Sequence, residues 1–285
     1  MSSVSSISGN AISGHLRLLC ACRANGVPII AEQSFRAPIH LSKSHLDEGR
    51  RVLHLVNPTA GFFDGDRFES NVKVAAGAKL VLSTPSASRV YRTRSGSAAV
   101  SFQKFEVSEN AALEWIPEPF IPHSGARYKQ QTQIHLHSAA SLLFFEWIAP
   151  GRVAMGEVFA YKELRWELDL WVDDILVARE RYRMHPGDDS LEALRVKFPA
   201  AHYLSIYAAG EMVRQWPAEA LDALNSEDIY LGHGPLTGGV RVIRAVCRDS
   251  LTTRKLLEKL RLMLYQAANA KPPALGRLFG AADSQ

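Results

Sequence analysis

Between Gly14 and about Gly187 the chain is interrupted at short intervals by turn-forming residues, and that spacing constrains the fold more than any other feature. Asn25-Gly26, Asn57-Pro58, Asp64-Gly65-Asp66, Ala76-Gly77, Ser95-Gly96, Glu109-Asn110, Pro150-Gly151 and Pro186-Gly187 mark the interruptions. Each combines residues that tolerate turn dihedrals or lack a ladder donor. The intervening segments at 15–20, 68–74, 78–84, 97–107, 128–137, 141–147 and 157–170 alternate or run apolar over strand-like lengths. Segments so short and so regularly punctuated do not supply the crossover helices of a doubly wound α/β fold. The expectation is a mainly β chain, built as an antiparallel sandwich or a stacked-sheet body. No exact internal repeat is visible, so the pattern alone does not name a solenoid.

Helices come late. Residues 217–224 read as a short helix and residues 250–268 as the strongest one in the chain. Asp249 or Ser250 can cap the start of the second. Thr253, Leu256, Leu257, Leu260, Met263, Leu264 and Ala267 form one apolar face. Lys271-Pro272-Pro273 ends it. The 285 residues suffice for a sizeable core. No Gly-, Ser- or Pro-rich linker divides them, so residues 13–285 are expected to form one domain behind a disordered, Ser-rich lead at 1–12. That lead lacks the basic and apolar regions of a secretory signal.

Composition removes several function classes. A formal charge of +4, without a dense Lys/Arg run, gives no nucleic-acid stripe. No apolar stretch reaches the ~18 residues a bilayer span needs. Three cysteines, Cys20, Cys22 and Cys247, make no disulfide framework, and a reducing cytoplasm fits them. The phosphate-cradling, dinucleotide, zinc-helix and nucleophile-elbow motifs are all missing from the sequence.

Four segments, in order, carry a family resemblance. They are Asn57-Pro58-Thr59-Ala60-Gly61-Phe62-Phe63-Asp64-Gly65-Asp66-Arg67, then Ser83-Thr84-Pro85-Ser86-Ala87-Ser88-Arg89-Val90-Tyr91-Arg92. Leu113-Glu114-Trp115-Ile116-Pro117-Glu118-Pro119-Phe120-Ile121 follows, with a Gly125-Ala126-Arg127 turn. Last comes Pro150-Gly151-Arg152-Val153-Ala154-Met155-Gly156-Glu157-Val158-Phe159, with Arg179-Glu180-Arg181 beyond it. Together these resemble the signature segments of the UreD (UreH) urease accessory proteins. The chain departs from that pattern at Ala60, at Glu118-Pro119 and in the tail Leu275-Gly276-Arg277-Leu278-Phe279.

The resemblance implies a β-helix-like body with two helices and a non-enzymatic scaffold role in the cytoplasm. It implies binding to a partner, UreF, which recruits the GTPase UreG, with the assembly docking on apo-urease. It also implies an internal tunnel that carries nickel, bound transiently and not as a resident cofactor. No membrane and no nucleic acid enter this picture.

Candidate residues follow, each with a plainer alternative. Asp66 closes a Gly-rich turn, where an acid can face a cavity and offer oxygen to a divalent cation. It can also simply bond the turn backbone. Arg152 and Glu157, five residues apart, form an ion pair or line the passage. Glu118 and Glu180 carry the same two readings. Thr84, Ser88 and Arg89 could orient water in a tunnel or merely make a turn. His135 and His137, two apart on a strand, would project to one face and suit nickel, but the alternation around them favours a solvated face. Cys20 and Cys22 share that spacing and read as small buried hydrophobes. His233 is a loop candidate without a nameable partner. A competing function is a β-rich hydrolase using paired carboxylates, Asp66 with Glu157. A third is a purely structural β protein.

Overall fold

The computed structural model describes residues 11–57, 61–186 and 192–275. The lead at 1–10, residues 58–60 of the first motif, Gly187 and the tail from 276 onward lie outside them. Strands β1 (Ser13–Cys22) and β2 (Pro28–Arg36) pair antiparallel, and short β3 (His40–Leu41) and β4 (His45–Asp47) flank β5 (Arg50–Val56). From β5 the chain winds. It passes through β6 (Arg67–Val74), β7 (Lys79–Ser83), β8 (Ser88–Val90), β9 (Ala99–Val107), β10 (Ala112–Ile116) and β11 (Phe120–Pro122). It continues through β12 (Arg127–Leu136), β13 (Ser141–Ile148), β14 (Glu163–Val172) and β15 (Ile175–Met184). The last part holds α1 (Glu192–Lys197), β16 (His202–Ala209), α2 (Ala218–Asp222), β17 (Ile229–Pro235), β18 (Arg241–Cys247) and α3 (Ser250–Ala267).

Successive long strands alternate between two facing sheets. The first sheet runs β15-β14-β12-β9-β6-β1-β2 and the second β17-β18-β16-β13-β10-β7-β5-β3. Within the winding body the ladders are parallel: β6, β9, β12 and β14 in one sheet, β5, β7, β10 and β13 in the other. The body is therefore a stack of coils, the stacked-sheet expectation. Antiparallel pairing is found at its flanks, in β1–β2, β3–β5, β4–β5, β14–β15 and β13-β16-β18-β17.

The two sides of each coil differ. On one side the chain turns tightly, and the turns stack: the Gly77 N–H donates to the Glu109 carbonyl at 3.0 Å, Ala112 to Ala78 and Ser141 to Ala111, both at 2.9 Å. Ala78, Ala111 and Ala140 repeat at equivalent buried places in these turns. On the other side the connections are long, and they stack into a narrow third wall. There Phe62 bridges Val90, β8 pairs β11 in parallel, and Phe120 pairs Ile148. All four signature segments fall in this wall or lead into it.

Strand β13 is buried at every position, because one face meets the first sheet and the other is covered by α3. Asp249 caps α3, accepting the Thr252 N–H at 2.8 Å. Leu256, Leu257, Leu260 and Leu264 then face the second sheet fully buried, each contributing on the order of 1.5–3 kcal/mol. One expected strand is shorter than its sequence suggests. Residues 157–162 belong to the third wall and β14 begins only at Glu163. Gly156 and Phe159 adopt positive φ there, which breaks extended backbone before the alternation takes hold.

Candidate functional site

The inner face of the first sheet carries polar rows that an ordinary core would not. Ser101 on β9 stands opposite Gln130 on β12, and Gln130 opposite Trp166 on β14. One step along, Ser70, Gln103 and Thr132 form a second row. Ser70, Ser101, Gln130 and Thr132 are all buried. The Gln130 carboxamide accepts from the Tyr128 hydroxyl at 3.3 Å and donates to Thr132 at 3.3 Å. Buried polar groups cost free energy unless hydrogen-bonded or hydrated, so these rows call for a wet space beside them. Beside them lies a cavity of about 80 Å³, lined by Ser101, Gln103, Gln130 and Tyr128 together with Thr84, Ser88 and Glu118.

A second cavity of about 520 Å³ lies between the β15 edge of the first sheet and strands β16 to β18 of the second. Glu146 lines both cavities. Its carboxylate is 4% exposed and accepts the Trp166 Nε1–H at 2.7 Å. Burial holds its pKa up at about 7, against the opposing pull of Trp166 and Arg244. Glu146 was absent from the sequence-derived candidates. Its signal was a carboxylate within an unbroken apolar strand, Leu142-Leu143-Phe144-Phe145-Glu146-Trp147, where an ionisable side chain must have a specific reason to remain.

The sequence-derived candidates fall in several places. Thr84, Ser88 and Glu118 come together in the lining of the first cavity. The Thr84 hydroxyl accepts the Glu118 N–H at 2.8 Å, and the Glu118 carboxylate takes both ends of Arg254 from α3. Arg89 has an exposed side chain, while its carbonyl accepts the Phe62 N–H at 2.8 Å and builds the third wall.

Arg152 and Glu157 are ion-paired, with a 2.9 Å bond from Nε, and the Ser124 N–H adds a bond at 3.0 Å. The Arg152 hydrogen bond holds Glu157 down to about 2. Asp66 is buried and accepts the Ile12 and Phe63 N–H groups, both at 2.8 Å. The Arg152 pair favours the ionised form of Glu157, which disfavours it as the general acid of a hydrolase.

Glu180, on β15, receives Arg244 from β18, and Arg244 itself lines the second cavity. His135 and His137 do not share a strand face, because β12 ends at Leu136. The His135 ring stacks on Trp171 at 4.6 Å, and His137, exposed, accepts the Ala139 N–H at 3.1 Å in the turn beyond. Cys20 is buried, which pushes its thiol up to about 12, and Cys22 is half-buried. His233 has partners that sequence could not name: it accepts from Trp216 Nε1 at 3.2 Å and meets Asp222 at 3.1 Å.

His123 was also missed. It is buried in the third wall, edge-on to Tyr91 at 4.7 Å, and its Nε2 has no hydrogen-bond partner. Burial lowers its pKa, and Arg152 adds to that. Among the described residues no group of three or more His, Cys, Asp or Glu converges as a tight metal site would require, and no helix is long and apolar enough to cross a membrane.

The chain is similar to known proteins over most of its length. A protein of Opitutus terrae named urease accessory protein UreD is 38% identical over 265 residues, covering 90% of this chain and 95% of that relative. Proteins of the same name from two Staphylococcus aureus strains are 28% and 29% identical over 178 residues, which is 62% of this chain and of each relative. Residues 13–278 match the profile of the family described as UreD urease accessory protein, and the chain belongs to that family.

Proposed function

We propose that this protein is a cytoplasmic, non-enzymatic scaffold that delivers nickel to apo-urease, with the ion moving through the passage between its two sheets. The observation that carries this reading is Glu146, one buried carboxylate lining both cavities. A conduit needs contacts strong enough to admit an ion and weak enough to release it. Isolated oxygen donors along polar rows meet that need better than a closed cluster of soft ligands would. Thr84, Ser88 and Glu118 line the first cavity and Glu180 pairs with Arg244, which lines the second, so four of the sequence-derived candidates stand along the proposed route. Asp66, Arg89, Arg152 and Glu157 support the wall beside it.

Docking is proposed for two exposed apolar patches. Met155 and Val153 in the third wall, and Ile175 and Leu176 at the β14–β15 tip, are apolar and exposed. Exposed apolar side chains suit partner surfaces, here apo-urease and a UreF–UreG assembly. The test is the nickel content of urease purified from cells with the gene, without it, and with Glu146→Gln. Apo-urease in the deletion and reduced nickel loading in Glu146→Gln are expected. Full loading in the deletion strain, with no second copy of the gene, would remove the delivery reading.

A further inference from the structure

The larger cavity has a fixed cation built into it. The registers of β13 with β16 and of β16 with β18 set Glu146 opposite Ser205 and Ser205 opposite Arg244. Directly opposed residues project to the same face of a sheet, so this row points inward from the second sheet. Facing it from the first sheet are Trp166 and Tyr182, themselves opposite each other, and Glu180 two residues before Tyr182. Arg244 donates to Glu180 and, at 2.8 Å, to the Tyr207 hydroxyl, and its guanidinium lies over the Tyr207 ring at 4.7 Å. Tyr182 interacts with both Glu180 and Arg244. Glu146 and Arg244 both line the cavity. Glu180 and the Tyr207 phenol thereby hold the guanidinium directly, and Glu146 and Tyr182 feel its charge from the same side of the cavity.

We propose that Arg244 is an internal stand-in for a divalent cation: it fills a latent oxygen-lined site formed by Glu146, Glu180, Tyr182 and Tyr207, and so keeps metal from lodging in the passage. The inference rests on the delivery reading and adds to it the reason that the ion moves on. A guanidinium keeps its charge under all physiological conditions, so it repels an arriving cation at short range inside a weakly screened cavity. It also occupies the oxygens that would otherwise hold that ion. With the charge removed, Glu180 loses its ion-pair partner and Glu146 loses the nearby positive charge that favours its ionised form. A hard divalent cation then becomes the favoured replacement.

The experiment is equilibrium dialysis of the purified full chain against nickel chloride at constant pH. Wild type is compared with Arg244→Gln, Arg244→Met and the charge-retaining Arg244→Lys. Two neutral replacements are used so that poor folding of one leaves the other to read, with circular dichroism confirming the fold of each. The neutral variants are expected to hold about one more nickel ion per chain than wild type, with at least a tenfold gain in affinity. Arg244→Lys is expected to match wild type, and Glu146→Gln added to a neutral variant to abolish the gain. Equal binding by all four proteins overturns the proposal, as does a gain that survives Glu146→Gln. If the neutral variants bind no extra nickel while Glu146→Gln still lowers urease loading, the arginine idea fails and the delivery reading stands. If deletion of the gene leaves urease fully loaded, the delivery reading fails instead, whatever the dialysis shows.

Discussion

Arg261 of α3 and Glu114 of β10 form an ion pair in which the Glu114 side chain is 1% exposed and the Arg261 side chain 11%. Tyr265, four residues along the helix, donates to the same carboxylate at 2.6 Å. Arg261 also reaches the Pro273 carbonyl at 3.0 Å, and Arg50 lies over the Tyr265 ring at 5.2 Å. This cluster fixes the register of the helix on the outer face of the second sheet. Replacing Glu114 by Ala leaves Arg261 buried without its counter-charge and should cost about 3–5 kcal/mol. Replacing both residues by Met should cost less than Glu114→Ala alone. Urea denaturation midpoints of the two variants decide between these outcomes.

Asp66 offers a smaller effect with a local readout. Its two oxygens satisfy the Ile12 and Phe63 N–H groups, tying the start of β1 to the third wall. Asp66→Ala should destabilise the chain by about 1–3 kcal/mol. Amide hydrogen exchange at Ile12 and Phe63 should quicken more than exchange in β13. Uniform acceleration across the chain would mean that Asp66 acts elsewhere.

Gly151 has φ of +140°, and a Cβ there would meet the Glu157 carbonyl at 2.3 Å. Gly151→Ala should therefore cost about 1–3 kcal/mol in backbone strain and displace the Arg152–Glu157 pair. Gly156, also at positive φ but with open space around its would-be Cβ, should tolerate Ala better. Thermal melts of the two variants test the difference.

Two buried groups give opposite pH dependences. The Trp147 Nε1–H donates to His202 at 3.0 Å, and burial lowers His202 to about 4. An unfolded His takes up a proton near 6.5, so the stability His202 contributes is present above that value and is lost as pH falls from 6.5 towards 4. The loss amounts to roughly 3 kcal/mol. Glu146 behaves in reverse. With its folded value raised to about 7, its contribution is present below about 4.5 and is lost as pH rises through 7, again by roughly 3 kcal/mol. His202→Asn should flatten the acid limb of the stability profile, and Glu146→Gln should raise stability at pH 8. Unchanged profiles in both variants would contradict these assignments.

Most strands were legible because alternation reports which face of a segment is buried. Tyr128 to Leu136 alternates just as β12 does. The winding was not legible, since alternation is blind to whether neighbouring strands run parallel. Ala78-Lys79-Leu80, Ala111-Ala112-Leu113 and Ala140-Ser141-Leu142 mark equivalent turns, but unequal connections on the far side hide the repeat. Of the site, Thr84, Ser88 and Glu118 were found because they sit in or beside the connections of the third wall, where polar residues attract notice. Glu114 and Glu146 were passed over inside apolar strands. Each precedes a tryptophan, Glu114-Trp115 and Glu146-Trp147, and a Glu in such a run is itself a sign of a buried, partnered charge.

The dependence of the second sheet on α3 has a consequence for synthesis of the chain. Glu114 meets Arg261 and Tyr265 only after 147 and 151 further residues have been made. At about 5–20 residues per second, the outer face of β7, β10 and β13 waits on the order of ten seconds or more for its cover. During that interval a nascent chain displays a sticky, half-dressed sheet next to the ribosome. The time spent in that state, more than the final free energy, would then set how much of the protein is recovered in usable form, and slowing translation before residue 250 should lower the yield.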